Sequence, residues 1–409
     1  MRASIAVSFA AMLLASSTEV GAAVPAMNAT DARVRTIGRG APSAAGSGWQ
    51  FDWPNLFIIS VSQASTVTAT MTATKWCRFR VWFHSAEGGV SNGRWAPMSW
   101  FWVAPGTNSY ILASGMLQST FDADTGPITI ALAKSTEADY NGGNETDWRV
   151  TVESFSLPEG GSFVANANPP LPGLPLPSRR LEFIGDSITA SYGIGGFEPC
   201  AARPWNQEAA RSYPQLICSA LEAECHVQAW SGRGLVENYE PDEPGTHMPE
   251  IERRVWASVL QSPEWDFSSW VPQAVWINLG TNDACCGRAW PVAGYQDTYV
   301  ELLMNITQRY GGGGAVTIFA AYGPMSSVYK PQVEAAAAAA NAQGAKVVVV
   351  DQSTVYDHPN AVGCSGHPSS VGHALMAESG VAAIASALGW QAANVTGNTL
   401  SGSLAQWVL

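Results

Sequence analysis

Residues 36–156 alternate between apolar and polar positions. In Thr66–Thr72 the apolar Val67, Ala69 and Met71 are interleaved with threonines, so an extended chain would be apolar on one face and hydroxylated on the other. A period of two predicts a half-buried strand. Trp49–Trp53, Leu56–Ser60, Arg78–Phe83, Tyr110–Ala113, Ile128–Leu132 and Trp148–Phe155 read the same way, with Gly-, Asn- and Asp-rich turns between them. Short strands at this spacing predict an all-β sandwich of jelly-roll type over residues 36–156.

The alternation stops at Pro158-Glu159-Gly160-Gly161, and Asn168-Pro169-Pro170-Leu171-Pro172-Gly173-Leu174-Pro175-Leu176-Pro177 follows. Proline at that density suits neither a ladder nor a helix interior, so residues 157–179 are expected to form a stiff, extended connector. Beyond it the period itself alternates. Apolar runs at 181–185, 226–230, 273–279, 315–321 and 346–351 predict strands, and stretches near 207–223, 248–260, 293–310, 331–343 and 369–388 predict helices. Strand and helix in turn, five times over, predict a five-stranded parallel sheet covered on both faces: a three-layer, flavodoxin-like α/β domain over 180–390. At 409 residues the chain exceeds what one core normally absorbs, which agrees with two domains. Residues 391–409 carry no pattern that assigns them.

Arg2, the apolar stretch Ile5–Ala15 and the small residues ending at Ala22 form a secretory signal pattern, residues 1–22, with cleavage expected after Ala22 or Ala23. Neither this stretch nor any later apolar run reads as long enough to span a bilayer, so a secreted protein without an integral membrane segment is expected. An oxidising compartment permits disulfides among the seven cysteines, Cys77, Cys200, Cys218, Cys225, Cys285, Cys286 and Cys364. Cys218 and Cys225 are the nearest non-adjacent pair. Cys285 and Cys286 are expected to link to Cys200 or Cys364 rather than to each other, and an odd number leaves at least one thiol outside any intrachain pair. The formal charge of −12, from 21 Lys+Arg against 33 Asp+Glu, argues against nucleic acid and anionic membranes as partners. His84, His226, His247 and His358 show no ligand spacing with cysteines or carboxylates, so no metal is expected.

Four short stretches carry chemistry, each after its own strand. Leu181–Ile184 runs into Gly185-Asp186-Ser187, which puts a hydroxyl at a strand tip, where open α/β sheets present reactive groups. Ser231-Gly232-Arg233-Gly234 follows the next strand, Gly280-Thr281-Asn282-Asp283 the one after, and Gly366-His367-Pro368 precedes the last helix. Hydrolysing an ester at neutral pH needs a nucleophile, a base and donors for the developing oxyanion. Ser187 offers the first and His367 the second. Gly232 lets a backbone N–H come close to a substrate oxygen, and the Asn282 amide adds a side-chain donor.

Together, Gly185-Asp186-Ser187, Gly232, Asn282 and His367 resemble the four blocks of the SGNH/GDSL hydrolases across residues 180–390. A narrower resemblance, to the bimodular acetyl esterases of carbohydrate esterase family 2, reaches into the β region through Gly38-Arg39-Gly40, Asp52-Trp53-Pro54-Asn55 and Ser135-Thr136-Glu137-Ala138. In the second half it covers Ile184–Gly193, Trp230–Val236, Ile277–Asp283 and Cys364–Pro368. The resemblance implies a secreted, cofactor-free serine esterase that removes O-acetyl groups from cell-wall polysaccharide, so an acetylated carbohydrate is the partner it implies. A monomer is expected. It further implies that Ser187 attacks the acetyl carbonyl, that His367 takes the proton, and that Ser187 N–H, Gly232 N–H and the Asn282 side chain form the oxyanion hole. SGNH enzymes commonly carry aspartate three residues before the histidine. Here that place is Cys364, so the expectation is a Ser–His dyad with a main-chain carbonyl orienting the imidazole. Asp357 or Asp351 reaching the ring from the strand end is the alternative.

Tyr192, Trp205 and Trp290 follow site loops and are candidates for stacking on a sugar. Asp186 and Asp283 are expected to anchor turns through backbone hydrogen bonds, and His373 to pack. Gly89-Val90-Ser91-Asn92-Gly93 fits the G-x-S-x-G nucleophile elbow but lacks the strand–turn–helix context, so it reads as a turn. Two further readings stay open: a lipid or aryl esterase on the same fold, and a non-catalytic carbohydrate-binding protein that kept the architecture. The complete set of four blocks argues against the second.

Overall fold

The computed structural model describes residues 24–84, 95–114, 127–138, 147–165, 176–240, 246–288 and 290–392. The signal pattern, the tail beyond 392, the middle of the proline-rich stretch and the Gly89–Gly93 match lie outside the described residues.

The first half is a sandwich of two antiparallel sheets. One runs β3 (Ala41–Pro42), β4 (Trp49–Phe51), β11 (Val150–Ser156), β6 (Thr66–Ala73), β9 (Gly106–Ser114), with β1 (Ala26–Asn28) against β11. The other runs β12 (Ser162–Val164), β5 (Leu56–Ser62), β10 (Ile128–Lys134), β7 (Cys77–His84), β8 (Trp95–Val103), with β2 (Arg35–Ile37) against β5. The alternation in β6 is realised: Val67, Ala69, Met71 and Ala73 are buried while the threonines between them stay half-exposed. Phe51, Phe57, Phe79 and Phe155 fill the space between the sheets.

Three strands fall where the pattern did not put them. β8 contains Pro97, which breaks the alternation; it is tolerated because β8 is an edge strand and its register with β7 shifts between Val81 and Trp82, opposite that proline. β1 lies ahead of residue 36 and β12 lies inside the stretch expected as connector, so the sandwich is longer than its pattern at both ends. The proline-rich stretch likewise ends in strand, because prolines are acceptable where a strand begins.

The second half comprises β13 (Leu176–Gly185), α1 (Tyr213–Leu221), β14 (Ala223–Ala229), α2 (Met248–Ile251), β15 (Ala274–Asn278), α3 (Tyr295–Arg309), β16 (Thr317–Tyr322), α4 (Lys330–Ala342), β17 (Val347–Asp351) and α5 (Ser370–Leu388). Its sheet is parallel in the order β14-β13-β15-β16-β17, with α1 and α5 packed together on one face and α3 and α4 on the other. Gly185 lies opposite both Ala229 and Asn278, so the loops after β13, β14 and β15 leave the sheet at one level. This is the point where the strand order reverses, the usual crevice of such sheets. Among the described helices, α5 is long and apolar enough to cross a membrane by length and composition, a feature the sequence reading passed over. Its Met376, Ala377, Val381 and Ile384 are buried in the core against α1 and the sheet.

The two halves share a core. Trp53 and Ala138, from the sandwich, belong to the apolar cluster of the α/β domain. Arg39 is buried and bonds the Glu182 carboxylate and the Glu252 carbonyl. Asp52 accepts from Ala257 N–H at 2.8 Å, Ser258 N–H at 2.7 Å and Ser258 Oγ at 2.8 Å, and Trp53 Nε1 donates to the Arg254 carbonyl at 3.2 Å. These contacts explain why the helix expected over 248–260 is the single turn α2. The sandwich takes up backbone groups that a helix would have used internally. Replacing Asp52 by alanine strands two buried N–H groups and a hydroxyl, so Asp52→Ala should lower unfolding free energy by about 3 kcal/mol in urea titrations. A loss under about 0.5 kcal/mol, the scatter of surface substitutions, would contradict the shared-core description.

Candidate active site

Gly185 ends β13 with no room for a side chain: a Cβ there would meet Thr189 Oγ1 at 2.0 Å. The chain then turns once, with Ala190 N–H on the Asp186 carbonyl at 2.9 Å and Tyr192 N–H on the Ser187 carbonyl at 3.0 Å. Asp186 fixes the turn by accepting from Ile188 N–H at 3.0 Å, the anchoring role expected of it. Burial pushes its carboxyl up to about 7, against the lowering effect of that N–H.

The opposing loop carries His367. A disulfide joins Cys200 to Cys364, Cys364 N–H donates to Gly193 at 3.0 Å and Ser365 N–H to Cys200 at 2.7 Å. Ser365 is held in the left-handed region at φ 54°, and its carbonyl lies 3.0 Å from His367 Nδ1. A carbonyl can only accept, so Nδ1 carries the proton and Nε2 is left bare. Nε2 lies 2.8 Å from Ser187 Oγ. Burial lowers the imidazole to about 4, with the Ser365 carbonyl pulling the other way, so the ring is neutral near pH 7. The Tyr192 ring stands edge-on to it at 4.9 Å.

The loops after β14 and β15 are tied to each other beside this pair. Asp283 accepts from the N–H groups of Leu235, Val236 and Glu237 at 3.0, 2.7 and 3.0 Å. Asn282 Nδ2 donates to the Arg233 carbonyl at 2.9 Å and to Asp186 Oδ2 at 3.3 Å. Gly232 sits at φ 78°, where other residues are strained, and its carbonyl takes the Tyr239 N–H at 2.8 Å. The structure therefore gathers Ser187, His367, Gly232 and Asn282 at one end of the sheet.

The remaining candidates scatter. Asp357 is exposed at the end of the 3-10 turn Ser353–Asp357, and Asp351 bonds Ser353 and pairs with Lys330 at 3.6 Å. Neither carboxylate bonds the His367 ring, whose Nδ1 is taken by Ser365. Trp205 and Trp290 are exposed, and of the three aromatic candidates Tyr192 is the one with a ring contact to His367. His373 is buried, accepts the Tyr213 N–H at 3.1 Å and stacks on that tyrosine. Among the described residues no group of three or more His, Cys, Asp or Glu is placed to hold a metal ion.

Cysteine pairing departs from expectation. Cys218–Cys225 forms as its spacing suggests, but Cys285 pairs with its neighbour Cys286. Cys200 and Cys364 satisfy each other, and Cys286 adopts a left-handed backbone (φ 67°) that brings adjacent sulfurs together. Cys77 is the free, buried thiol.

Three participants went unassigned in the sequence. The Ser365 carbonyl is main chain and leaves no side-chain signal. Glu137 reaches Ser231, and Gln207 bonds the Ala190 carbonyl from within the core. For Glu137 the available signals were its place in the Ser135-Thr136-Glu137-Ala138 block and, with Lys134, its position at the end of the mostly apolar run Ile128–Ala133.

Residues 183–375 match the GDSL-like Lipase/Acylhydrolase family model. The Cellulase/esterase CelE of Acetivibrio thermocellus is 33% identical over 218 residues, 52% of this chain and 26% of that protein. The Acetylxylan esterase / glucomannan deacetylase of Cellvibrio japonicus is 29% identical over 142 residues, 34% of this chain and 39% of that protein. The chain thus spans well under half the length of these curated relatives. Among solved structures, a family two carbohydrate esterase from Clostridium thermocellum in complex with cellohexaose superposes with TM-score 0.71 and 26% identity, covering 87% of this chain and 99% of that one. A family two carbohydrate esterase from Cellvibrio japonicus shares the fold at TM-score 0.71 and 18% identity, over 90% of this chain and 99% of its own. The α/β half of this chain is thus similar to the GDSL-like lipase/acylhydrolases, and the chain over most of its length is similar in fold to the family two carbohydrate esterases.

Proposed function

We propose that this protein is a secreted serine esterase that releases acetyl groups from acetylated carbohydrate through a Ser187–His367 dyad. The observation that carries the reading is the pair of hydrogen bonds on one imidazole, Nε2 to Ser187 Oγ at 2.8 Å and Nδ1 to the Ser365 carbonyl at 3.0 Å. Nε2 takes the hydroxyl proton as Oγ attacks the acetyl carbon, and the carbonyl oxygen becomes an oxyanion. Collapse breaks the bond to the sugar oxygen, which leaves with the proton from Nε2. Water, deprotonated by the same nitrogen, then attacks the acetyl-serine and releases acetate. The Ser365 carbonyl steadies the imidazolium in place of a carboxylate.

The oxyanion is received by Ser187 N–H, Gly232 N–H and Asn282 Nδ2. Of the two bonds Asn282 makes, the 3.3 Å contact with Asp186 is the longer and gives way. Exposed Tyr239, next to Gly232, and Phe197, in the segment whose Glu198 bonds Gly366 N–H and Val362, offer flat faces to a sugar ring. The named relatives supply the acetyl-carbohydrate class, and the signal pattern with the disulfides supports export.

Acetate release from acetylated xylan, compared with short- and long-chain nitrophenyl esters, tests the reading. Ser187→Ala should lower kcat at least ~10⁴-fold and Asn282→Ala ~10²–10³-fold, whereas Asp357→Asn should stay within about threefold. A drop of orders of magnitude in a folded Asp357→Asn protein would replace the dyad by a triad. The pH profile is a separate check. A base with its pKa lowered to about 4 is active above that pH and lost as pH falls through it, so kcat/KM should show an acid limb near 4. A limb at the ordinary imidazole value of about 6.5 would contradict the lowering of the His367 pKa.

A further inference from the structure

We infer that Glu137, carried by the β-sandwich, is a positioning residue for the oxyanion site of the α/β domain. It follows β10 and its side chain is buried. Its Oε2 accepts from Ser231 N–H at 2.6 Å and its Oε1 from Ser231 Oγ at 2.7 Å, distances of charge-assisted bonds. Ser231 is thereby fixed at both its backbone nitrogen and its side chain, and the next peptide unit presents Gly232 N–H. The peptide unit after it is fixed as well, by Tyr239 N–H donating to the Gly232 carbonyl at 2.8 Å. Gly232 has no Cβ and holds φ 78°, so nothing in its own side chain maintains this orientation.

The same residue reaches the nucleophile's turn through Gln207. Glu137 N–H donates to Gln207 Oε1 at 3.3 Å, and Gln207 Nε2 donates to the Ala190 carbonyl at 3.0 Å, three residues past Ser187. Behind it, Lys134 Nζ donates to the carbonyls of Asp52, Thr136 and Glu137 at 2.9, 2.6 and 2.7 Å. A buried carboxylate is costly unless it is hydrogen-bonded and faced by a counter-charge. Here Ser231 supplies two of its hydrogen bonds, and Lys134, whose own bonds go to main-chain carbonyls, is the nearby opposite charge. The sandwich thus acts on the chemistry through Glu137 in addition to packing against the domain that performs it.

This inference rests on the esterase reading and is tested on the full-length protein. Glu137→Gln keeps size but offers a single acceptor oxygen, so one Ser231 donor faces an amide NH₂ instead. Its kcat should fall about 10–100-fold, the scale of a small misplacement of a reacting group, with KM within about twofold. Combined with Asn282→Ala the losses should be less than multiplicative, because both act on one oxyanion. Hydrogen exchange should quicken at Ser231 and Gly232 but stay unchanged at Ala257 and Ser258, which lie on the separate Asp52 contact. An active parent whose Glu137→Gln variant keeps kcat within about twofold overturns the inference and leaves the esterase reading standing. Equal quickening at both interface contacts, or strictly multiplicative losses, also overturns it, since Glu137 would then be holding the domains together rather than the oxyanion loop. A parent without turnover overturns both.

Discussion

The 2.8 Å hydrogen bond between His367 Nε2 and Ser187 Oγ is the constraint on which the rest of the structure converges. The two residues are 180 positions apart and sit on opposite loops, so their meeting depends on the sheet, the disulfide and the turn at Ser365 at once. The parallel register sets Gly185 level with Ala229 and Asn278. The Cys200–Cys364 link and the bonds to Gly193 and Cys200 hold the histidine loop over Ser187. Each of these fixes geometry before substrate arrives, which is how preorganised donors and bases act without reorganisation during reaction.

The sandwich is bound into this arrangement as well. Arg39, Asp52, Trp53 and Glu137 are buried across the boundary, and two of its residues complete the apolar cluster of the other half. Domains joined by a small, water-accessible interface usually move relative to one another. Here the boundary resembles the interior of one folded unit, and the 253–258 segment has given up helix formation to join it.

The sequence made the strand ends legible because buried parallel strands are short apolar runs and their loops carry Gly, Ser, Asn and His at the tips. Gly185–Ser187, Gly232, Asn282 and His367 could therefore be placed before any coordinates. Other features were hidden for physical reasons. The partner of His367 Nδ1 is a carbonyl, which every residue has, so Asp357 and Asp351 could not be set aside from sequence. β8 was masked by Pro97 at an edge bulge, and α2 was overestimated because the Asp52 and Trp53 contacts come from two hundred residues away. The Cys285–Cys286 bridge turns on one residue adopting a left-handed backbone, which composition does not announce.

The central claim is that Ser187 becomes acylated. Acid quench of the enzyme during turnover of a short-chain nitrophenyl acetate, followed by peptide mass spectrometry, reads this directly. The account predicts an acetyl group on the peptide containing Ser187 and none on the corresponding peptide of Ser187→Ala. Sustained ester hydrolysis by the folded Ser187→Ala protein, or an acetyl group found on a different residue in its place, would contradict it.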